Sequence, residues 1–317
     1  MKVTDSIKQA KNPLFTFELL PPLKGDNIES IYNIIEPLIE FNPSYINVTY
    51  HREEVVYKSR EAGLLEKKIV RKRPGTVGIT AAIKYKYKIE VIPHIICGGF
   101  NREETENALI DLHFLDIHNL LVMRGDTLKS ERTFKPEPDG HEHALGLVKQ
   151  VMEMNHGKYI DEEIENNAPT NFSLGVAGYP EKHIESPNLE ADLYFLKQKI
   201  DAGAEYIVTQ MFFDNRRYFR FVKQCREAGI HVPIIPGLKL ITTKKQLSII
   251  PQAFNIDLPN DLVKEIIKCT TNLEVQQLGI EWAIAQSKEL MQQGVPALHF
   301  FTMGKSANIR QVCKAIF

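Results

Sequence analysis

Short apolar runs alternate along the chain with segments in which apolar residues recur every three or four positions. The runs predict strands buried on both faces, and the longer segments predict helices. The predicted strands are Phe15–Leu20, Tyr45–Tyr50, Val91–Ile96, Asn119–Met123, Phe172–Gly178, Tyr206–Met211, Pro233–Leu238 and Ala297–Thr302. The pattern therefore predicts eight strands that span almost the whole length.

Helices are predicted between these strands, and capping residues mark several of their ends. The predicted helices include Ile28–Phe41, a helix opened by Asn101, Ala144–Met154, Leu189–Ala202, Tyr218–Ala228, the region Lys245–Gln293 with one break at Leu258-Pro259, and Ala307–Ile316. Gly203 suits the end of one of them, because glycine readily adopts a left-handed backbone. The polar stretch Arg52–Lys88 is expected to hold a crossover helix near Val77–Tyr87 and an elaborated loop.

This strict alternation predicts a fold class. Eight strands alternating with helices favour a single (β/α)₈ TIM barrel over residues 1–317. The alternative is an open doubly wound sheet. No G-x-G-x-x-G follows the first strand, so the usual dinucleotide-binding half of such a sheet is missing.

Composition and charge exclude several classes. With 39 Lys and Arg against 40 Asp and Glu, the formal net charge is -1, which gives no support to nucleic-acid binding. The four cysteines form no C-x-x-C pair and are expected to be reduced thiols. No secretory signal opens the chain and no run reaches the roughly 18 apolar residues of a membrane span, so a soluble cytoplasmic protein is expected.

Polar residues cluster at the predicted strand ends, where active sites of barrel enzymes lie. They are Glu18, Thr49, His94, Arg124-Gly125-Asp126, Tyr179 with His183, and Gln210. Each alone has an ordinary structural explanation, such as a satisfied core histidine or a capping side chain. Glu18 and Asp126 could also form the carboxylate pair of a non-flavin hydrolase.

Two further alternatives rest on other segments. The basic residues Lys67–Arg73, with Lys84, Lys86 and Lys88, could bind nucleic acid, although such runs usually form solvated faces. His141-Glu142-His143 could ligate a metal, but no further ligand has the usual spacing, so no metal is expected.

Several motifs, taken in order, resemble the methylenetetrahydrofolate reductases, which are flavoenzymes. The motifs are Phe17-Glu18-Leu19-Leu20-Pro21-Pro22, Val48-Thr49-Tyr50, Pro93-His94, Met123-Arg124-Gly125-Asp126, Val176-Ala177-Gly178-Tyr179-Pro180-Glu181 with His183, Asp201-Ala202-Gly203-Ala204, Thr209-Gln210-Met211-Phe212-Phe213-Asp214, Ile234-Ile235-Pro236-Gly237 and His299-Phe300-Phe301-Thr302. The resemblance implies reduction of 5,10-methylenetetrahydrofolate by NADH or NADPH through FAD, in ping-pong order, and a homo-oligomer.

The resemblance also implies roles for individual residues. Glu18 matches the general acid and Asp126 the aspartate near the flavin ring, and both are implied to meet the substrate. FAD contacts are implied for Thr49, His94, Met123, Arg124, Gly125, Asp126, Ala177, Tyr179, His183, Asp192 and Lys199, and substrate contacts for Thr49, Gln210, Gln246 and Lys305. The pKa of Glu18 is expected to rise among Phe15, Phe17, Leu19 and Leu20, and Asp126 is expected to stay ionised beside Arg124.

Some positions depart from the family pattern. His51-Arg52-Glu53-Glu54 stands where glycines are common, and Ile250 and Lys305 stand where many members carry Phe and Arg. Phe195 and Gln198 replace polar or basic cofactor contacts of some members. These changes leave the choice between NADH and NADPH open. No regulatory domain is expected after the barrel.

Overall fold

A closed barrel of parallel strands forms the centre of the molecule, in a computed structural model that describes residues 1–128, 131 and 133–317. The strands of this part of the chain are β1 (Leu14–Leu19), β2 (Tyr45–Val48), β3 (Glu54–Ser59), β4 (Leu65–Val70), β5 (Glu90–Ile96), β6 (Asn119–Met123), β7 (Ser173–Gly178), β8 (Tyr206–Met211), β9 (Ile234–Leu238) and β10 (Ala297–Phe301). Eight of them close in the order β1-β10-β9-β8-β7-β6-β5-β2. These eight coincide with the predicted strands, so the prediction of a TIM barrel is confirmed.

Helices follow the barrel strands and surround them. They are α1 (Val3–Gln9), α2 (Glu29–Ile39), α3 (Thr76–Tyr87), α4 (Arg102–Phe114), α5 (Ala144–Asn155), α6 (Leu189–Asp201), α7 (Asn215–Glu227), α8 (Gln246–Phe254), α9 (Asn260–Lys268), α10 (Asn272–Gln292) and α11 (Ala307–Ile316). The prediction of one break between Lys245 and Gln293 is wrong, because a second break precedes α10. Thr271 and Glu274 form a capping box there, which starts a new helix.

A small hairpin projects from the barrel between β2 and α3. It consists of β3 paired antiparallel with β4. The predicted helix of this region is present as α3, but the predicted loop contains this hairpin, which the sequence pattern did not indicate. Its residues are exposed or only half-buried, so its strands lack the apolar alternation by which a strand is recognised.

Two apolar layers hold the barrel together. The larger layer lies between the strands and the surrounding helices and includes Phe17, Leu19 and Phe300. The smaller fills the barrel interior and includes Tyr206 and Ile235. Among the described residues, no helix is both long and apolar enough to cross a membrane.

The N-terminal helix α1 lies at the end of the barrel where the strands begin. Val3 packs into the interior cluster, and its backbone N–H donates to Asn119 Oδ1 over 3.0 Å. The side-chain amide of Asn119 donates in turn to the carbonyl of Met1 over 2.9 Å. The N-terminal segment therefore occupies this end, and the polar residues at the strand ends face the opposite one.

Candidate functional site

Glu18 lies near the end of β1 and points into the mouth of the barrel. In the sheet register it faces Phe301 on β10 and Asn47 on β2. Burial raises the pKa of its carboxyl to about 8, and the nearby charge of Lys239 works against that rise. The expected rise in pKa is therefore present.

The expected cause of this rise was partly wrong. Side chains alternate between the two faces of a strand, so Phe15, Phe17 and Leu19 pack outward against the helices. Their neighbour Glu18 points inward, and the enclosed barrel interior removes its carboxyl from water.

His94 on β5 is the nearest titratable neighbour of Glu18. Its Nε2 atom lies 3.5 Å from Glu18 Oε2 and 3.2 Å from the side-chain amide nitrogen of Asn47. Burial lowers the pKa of His94 to about 3, with smaller contributions from His299 and His51. The imidazole is therefore neutral near pH 7 and the carboxyl beside it is mainly protonated, so the contact is not an ion pair.

Further polar groups line the interior below Glu18. Thr16 Oγ1 lies 2.9 Å from His299 Nδ1 and donates to the carbonyl of Leu298 over 3.2 Å. Within the described part of the chain, His299 Nε2 and Asn47 Oδ1 are buried without a hydrogen-bond partner. Such atoms are rare in protein interiors and often mark a functional cavity.

Lys239 follows the last residue of β9 and is only 9% exposed. Burial lowers the pKa of its ammonium to about 8, and the charge of Glu18 opposes this fall. The Glu18 carboxyl and the Lys239 ammonium therefore affect each other's pKa inside the barrel mouth. The sequence motifs did not select Lys239, although it stands just past a strand end, as Arg124 does.

The predicted residues Met123, Arg124, Gly125 and Asp126 lie at the end of β6. Met123 ends the strand, and Gly125 has a φ of +86°, so the chain turns immediately. Arg124 forms a two-pronged ion pair with Glu185, with 2.7 Å between Nη2 and Oε1. Asp126 is exposed, and the ion pair of Arg124 is with Glu185.

Several predicted residues of β7, of the loop after it and of α6 form a neighbouring side of the barrel mouth. The rings of Tyr179 and His183 meet edge to face at 4.7 Å, and the backbone N–H of His183 donates to Asp192 Oδ2 over 3.0 Å. Lys199 donates to the carbonyl of Ala177 over 3.4 Å. Burial lowers the pKa of the Lys199 ammonium to about 8, partly offset by Asp192.

The remaining predicted residues lie on the same rim, in separate loops and strands. Thr49 follows β2, with its Oγ1 3.3 Å from His51 Nε2, and Gln210 lies in β8. Gln246 begins α8, and its Oε1 accepts from the backbone N–H of Thr242 over 2.6 Å.

Lys305 and Ile250, which depart from the family pattern, lie in different surroundings. Lys305 is exposed in the loop after β10, and that loop is tied to the site because Thr302 Oγ1 donates to the carbonyl of Glu18 over 2.7 Å. Ile250 is buried in a separate apolar cluster with Met211 and Phe213, so it lies in a packed layer.

The alternative sites do not assemble at this mouth. His141 is buried with its Nε2 2.5 Å from Gln150 Oε1, whereas Glu142 and His143 are exposed. Among the described residues, no three His, Cys, Asp or Glu side chains are arranged to hold a metal ion. The basic residue Lys72 of the hairpin region pairs with Glu54.

Tertiary structure adds residues that sequence reasoning missed, namely Lys239, Glu185, Asn47, Thr16 and His299. Asn47 and His299 stand inside strands whose polar residues alternate with apolar ones, which was the available signal. Glu185 lies in a loop with no such signal.

Comparison with known proteins gives a consistent assignment. The family model described as methylenetetrahydrofolate reductase matches residues 2–316. The 5,10-methylenetetrahydrofolate reductase of Salmonella typhimurium is 28% identical over 302 residues, which cover 95% of this chain and 90% of that protein. Methylenetetrahydrofolate reductase (NADH) 1 of Arabidopsis thaliana is 29% identical over 316 residues, which cover 96% of this chain.

Some relatives are much longer than this chain. The chain spans about half the length of several of them, including 48% of the Arabidopsis protein. An uncharacterized protein from Clostridium thermocellum that binds two copies of 5-methyl-5,6,7,8-tetrahydrofolic acid aligns with a TM-score of 0.57 at 14% identity, covering 98% of this chain and 96% of that one. At that identity the likeness concerns the fold alone.

Proposed function

Because the chain belongs to the methylenetetrahydrofolate reductase family, we propose that it reduces 5,10-methylenetetrahydrofolate to 5-methyltetrahydrofolate with NADH or NADPH, by way of bound FAD. The observation that carries this proposal is Glu18, a buried carboxyl whose pKa of about 8 keeps it mainly protonated near pH 7. Opening the five-membered ring of the substrate requires a proton on the departing nitrogen, and an acid with a raised pKa can supply it.

The residues around the mouth fit a flavin dinucleotide. A dinucleotide carries two phosphates, and Arg124, Lys199 and His183 supply cationic and N–H groups on one side of the opening. The chain turns at Gly125, beside Arg124, without a side chain. We propose that these residues, with Thr49, His94, Met123, Asp126, Ala177, Tyr179 and Asp192, hold the cofactor, which when bound would relay hydride from the nicotinamide to the folate.

Several residues of the barrel mouth would each have a separate role in the reduction of the folate. Glu18 would donate its proton, and His94 would remain neutral beside it, because its lowered pKa keeps the imidazole from taking that proton. Asp126 lies at the open rim and would favour the positive charge that develops on the substrate. Gln210, Gln246 and Lys305 would contact the bound substrates around the same opening.

One mouth would serve both substrates in turn. The N-terminal segment with α1 lies at the opposite end of the barrel, which supports entry from the strand ends alone. We therefore propose a ping-pong order in which the oxidised nicotinamide leaves before the folate enters. A cytoplasmic location and a homo-oligomer remain predictions from the sequence.

An absorbance experiment tests the proposal. The purified protein is expected to carry the visible spectrum of an oxidised flavin, to bleach with NADH or NADPH without oxygen, and to recover its colour when methylenetetrahydrofolate is added. A colourless protein that binds no FAD would contradict the cofactor assignment. A flavin that bleaches but is not reoxidised by the folate would contradict the substrate assignment.

A further inference from the structure

The carboxyl of Glu18 and the ammonium of Lys239 lie in the same part of the barrel interior. Ile235 of β9 belongs to the interior cluster, so by alternation Gly237 and Lys239 also point inward. Gly237 is level with His299 on β10, which places Lys239 level with Phe301, the residue that faces Glu18 on β1.

The two strands that carry this pair stand on either side of β10. Alternate strands of a TIM barrel contribute side chains to the same interior layer. Strands two positions apart are separated by about 10 Å, a distance that a lysine and a glutamate side chain bridge together. The mutual influence of the two charges agrees with this placement.

Lys239 has no competing partner that would hold its charge elsewhere. Among the described residues its ammonium makes no ion pair within 4.0 Å, and the side chain is nearly inaccessible to water. A buried ammonium without a bonded partner is costly, so burial lowers its pKa and a nearby opposite charge opposes that fall.

The titratable groups beside Glu18 and in the layer of Thr16 below it are uncharged near pH 7. These are Tyr45 on β2, whose pKa is raised by burial, and His94 on β5 and His299 on β10, whose pKa values are lowered by burial to about 3. His51, Asp126 and Lys305 lie in the loops of the open rim. Among the described residues of the enclosed layer, Lys239 is thus the cation that acts on Glu18.

We infer that Lys239 is a positioning residue that sets the acidity of Glu18 by stabilising the carboxylate left after proton donation. The inference rests on the proposed function, since it concerns the proposed proton donor. In the step, the O–H bond of Glu18 breaks and its electron pair stays on the carboxylate oxygen. The proton bonds to the ring nitrogen of the folate, and the bond from that nitrogen to the methylene carbon breaks, with both electrons moving to nitrogen.

Without Lys239, Glu18 would be too weak an acid. A carboxyl in a dry interior holds its proton strongly, and no other charge of the enclosed layer would offset that effect. Burial thus keeps the proton on Glu18 near neutral pH, and the cation makes it available for transfer. Lys239→Met tests this role, because methionine fills a similar volume without charge. Lys239→Arg keeps the charge and serves as the matched control.

The test follows the Glu18 carboxyl directly as well as the reaction. Infrared difference spectra over a pH series, in the full-length protein with its cofactor, identify the carboxyl band of Glu18 as the one that Glu18→Gln removes. We expect its midpoint to rise by about one pH unit in Lys239→Met, as for the loss of a nearby opposite charge. In Lys239→Arg the midpoint should stay at or below that of the wild type. The alkaline limb of the folate half-reaction should move with the band.

Each outcome has a distinct meaning. A band midpoint that is unchanged or lower in Lys239→Met overturns the role of Lys239, whatever the activity. A band that shifts while the folate step keeps its pH profile leaves Lys239 coupled to Glu18 but removes Glu18 as the donor, and with it the positioning role. If Lys239→Met does not fold, as judged by circular dichroism, Lys239→Gln replaces it in the same comparison.

Discussion

The imidazole of His94 and the carboxyl of Glu18 meet at 3.5 Å inside the barrel mouth, and both are uncharged near pH 7. Burial produces this state, because it disfavours the charged form of each group. A carboxyl that stays protonated is able to donate a proton, whereas an ionised one beside a histidine cation could only accept it.

Replacing Glu18 by Gln should separate the two half-reactions. The amide keeps the size of the side chain but has no acidic proton, so we expect folate-dependent reoxidation to slow by about a thousandfold. Flavin reduction by NADH or NADPH, which needs no proton from Glu18, should remain near the wild-type rate. Anaerobic stopped-flow measures both steps, and an equal loss in both would remove Glu18 as the general acid.

The pH dependence of the folate step in the wild-type protein should reflect the ionisation of Glu18. The acid form of Glu18 is required, so the folate step should be fastest below its pKa of about 8 and should fall as the pH rises through that value. At higher pH the rate should drop about tenfold per unit. Single-turnover rates between pH 6 and 9.5 check this. A folate step that accelerates across this range would mean that a base, and not an acid, limits it.

We expect Arg124 to strengthen the binding of FAD. Loss of a charged contact to phosphate in Arg124→Gln is expected to weaken FAD binding by about ten- to a hundredfold. Arg310→Gln is the matched control, because Arg310 pairs with Glu40 on the helices outside the barrel. Fluorescence titration of the apoprotein with FAD gives both affinities, and similar values for the two variants would exclude Arg124 from the cofactor site.

Gln246 offers a test of substrate contact. Its Oε1 already accepts from the backbone N–H groups of Thr242 and Thr243, so its amide N–H₂ is the part left for a ligand. Gln246→Glu keeps the acceptor and loses the donor, and should raise the KM for the folate about tenfold with little change in Tm. Gln246→Leu loses both and should also lower the Tm. An unchanged KM in Gln246→Glu would place the substrate elsewhere.

Gly237 should tolerate no side chain. A Cβ there would lie 2.2 Å from the carbonyl oxygen of Thr209 and 2.8 Å from the ring of Phe301. Gly237→Ala is therefore expected to destabilise the fold by about 1–3 kcal/mol. In Gly78→Ala, on α3 with nothing within 4 Å, we expect a gain of about 0.5–1 kcal/mol. Urea denaturation compares them, and equal midpoints would show that β8 and β9 have more freedom to move apart than this packing allows.

The sequence alone determined the barrel and most of its rim. Apolar runs and helical spacing are local patterns, so the eight strands, the order of the helices and the positions of Glu18, Arg124 and Asp126 at strand ends could be predicted residue by residue. The hairpin β3–β4 could not, because its exposed strands carry no apolar pattern. The second break before α10 does have a local signal, the capping pair Thr271 and Glu274.

The tertiary structure alone decided which of these groups meet and what state they take. Arg124 pairs with Glu185 and not with Asp126, and Lys239, which follows β9, acts on Glu18 of β1. Partners of this kind depend on closure of the barrel, which brings distant strand ends to one rim. The pKa of Glu18 depends on the water that closure excludes, and no stretch of sequence contains that information, because desolvation is a property of the enclosed volume and not of the residues beside it in the chain.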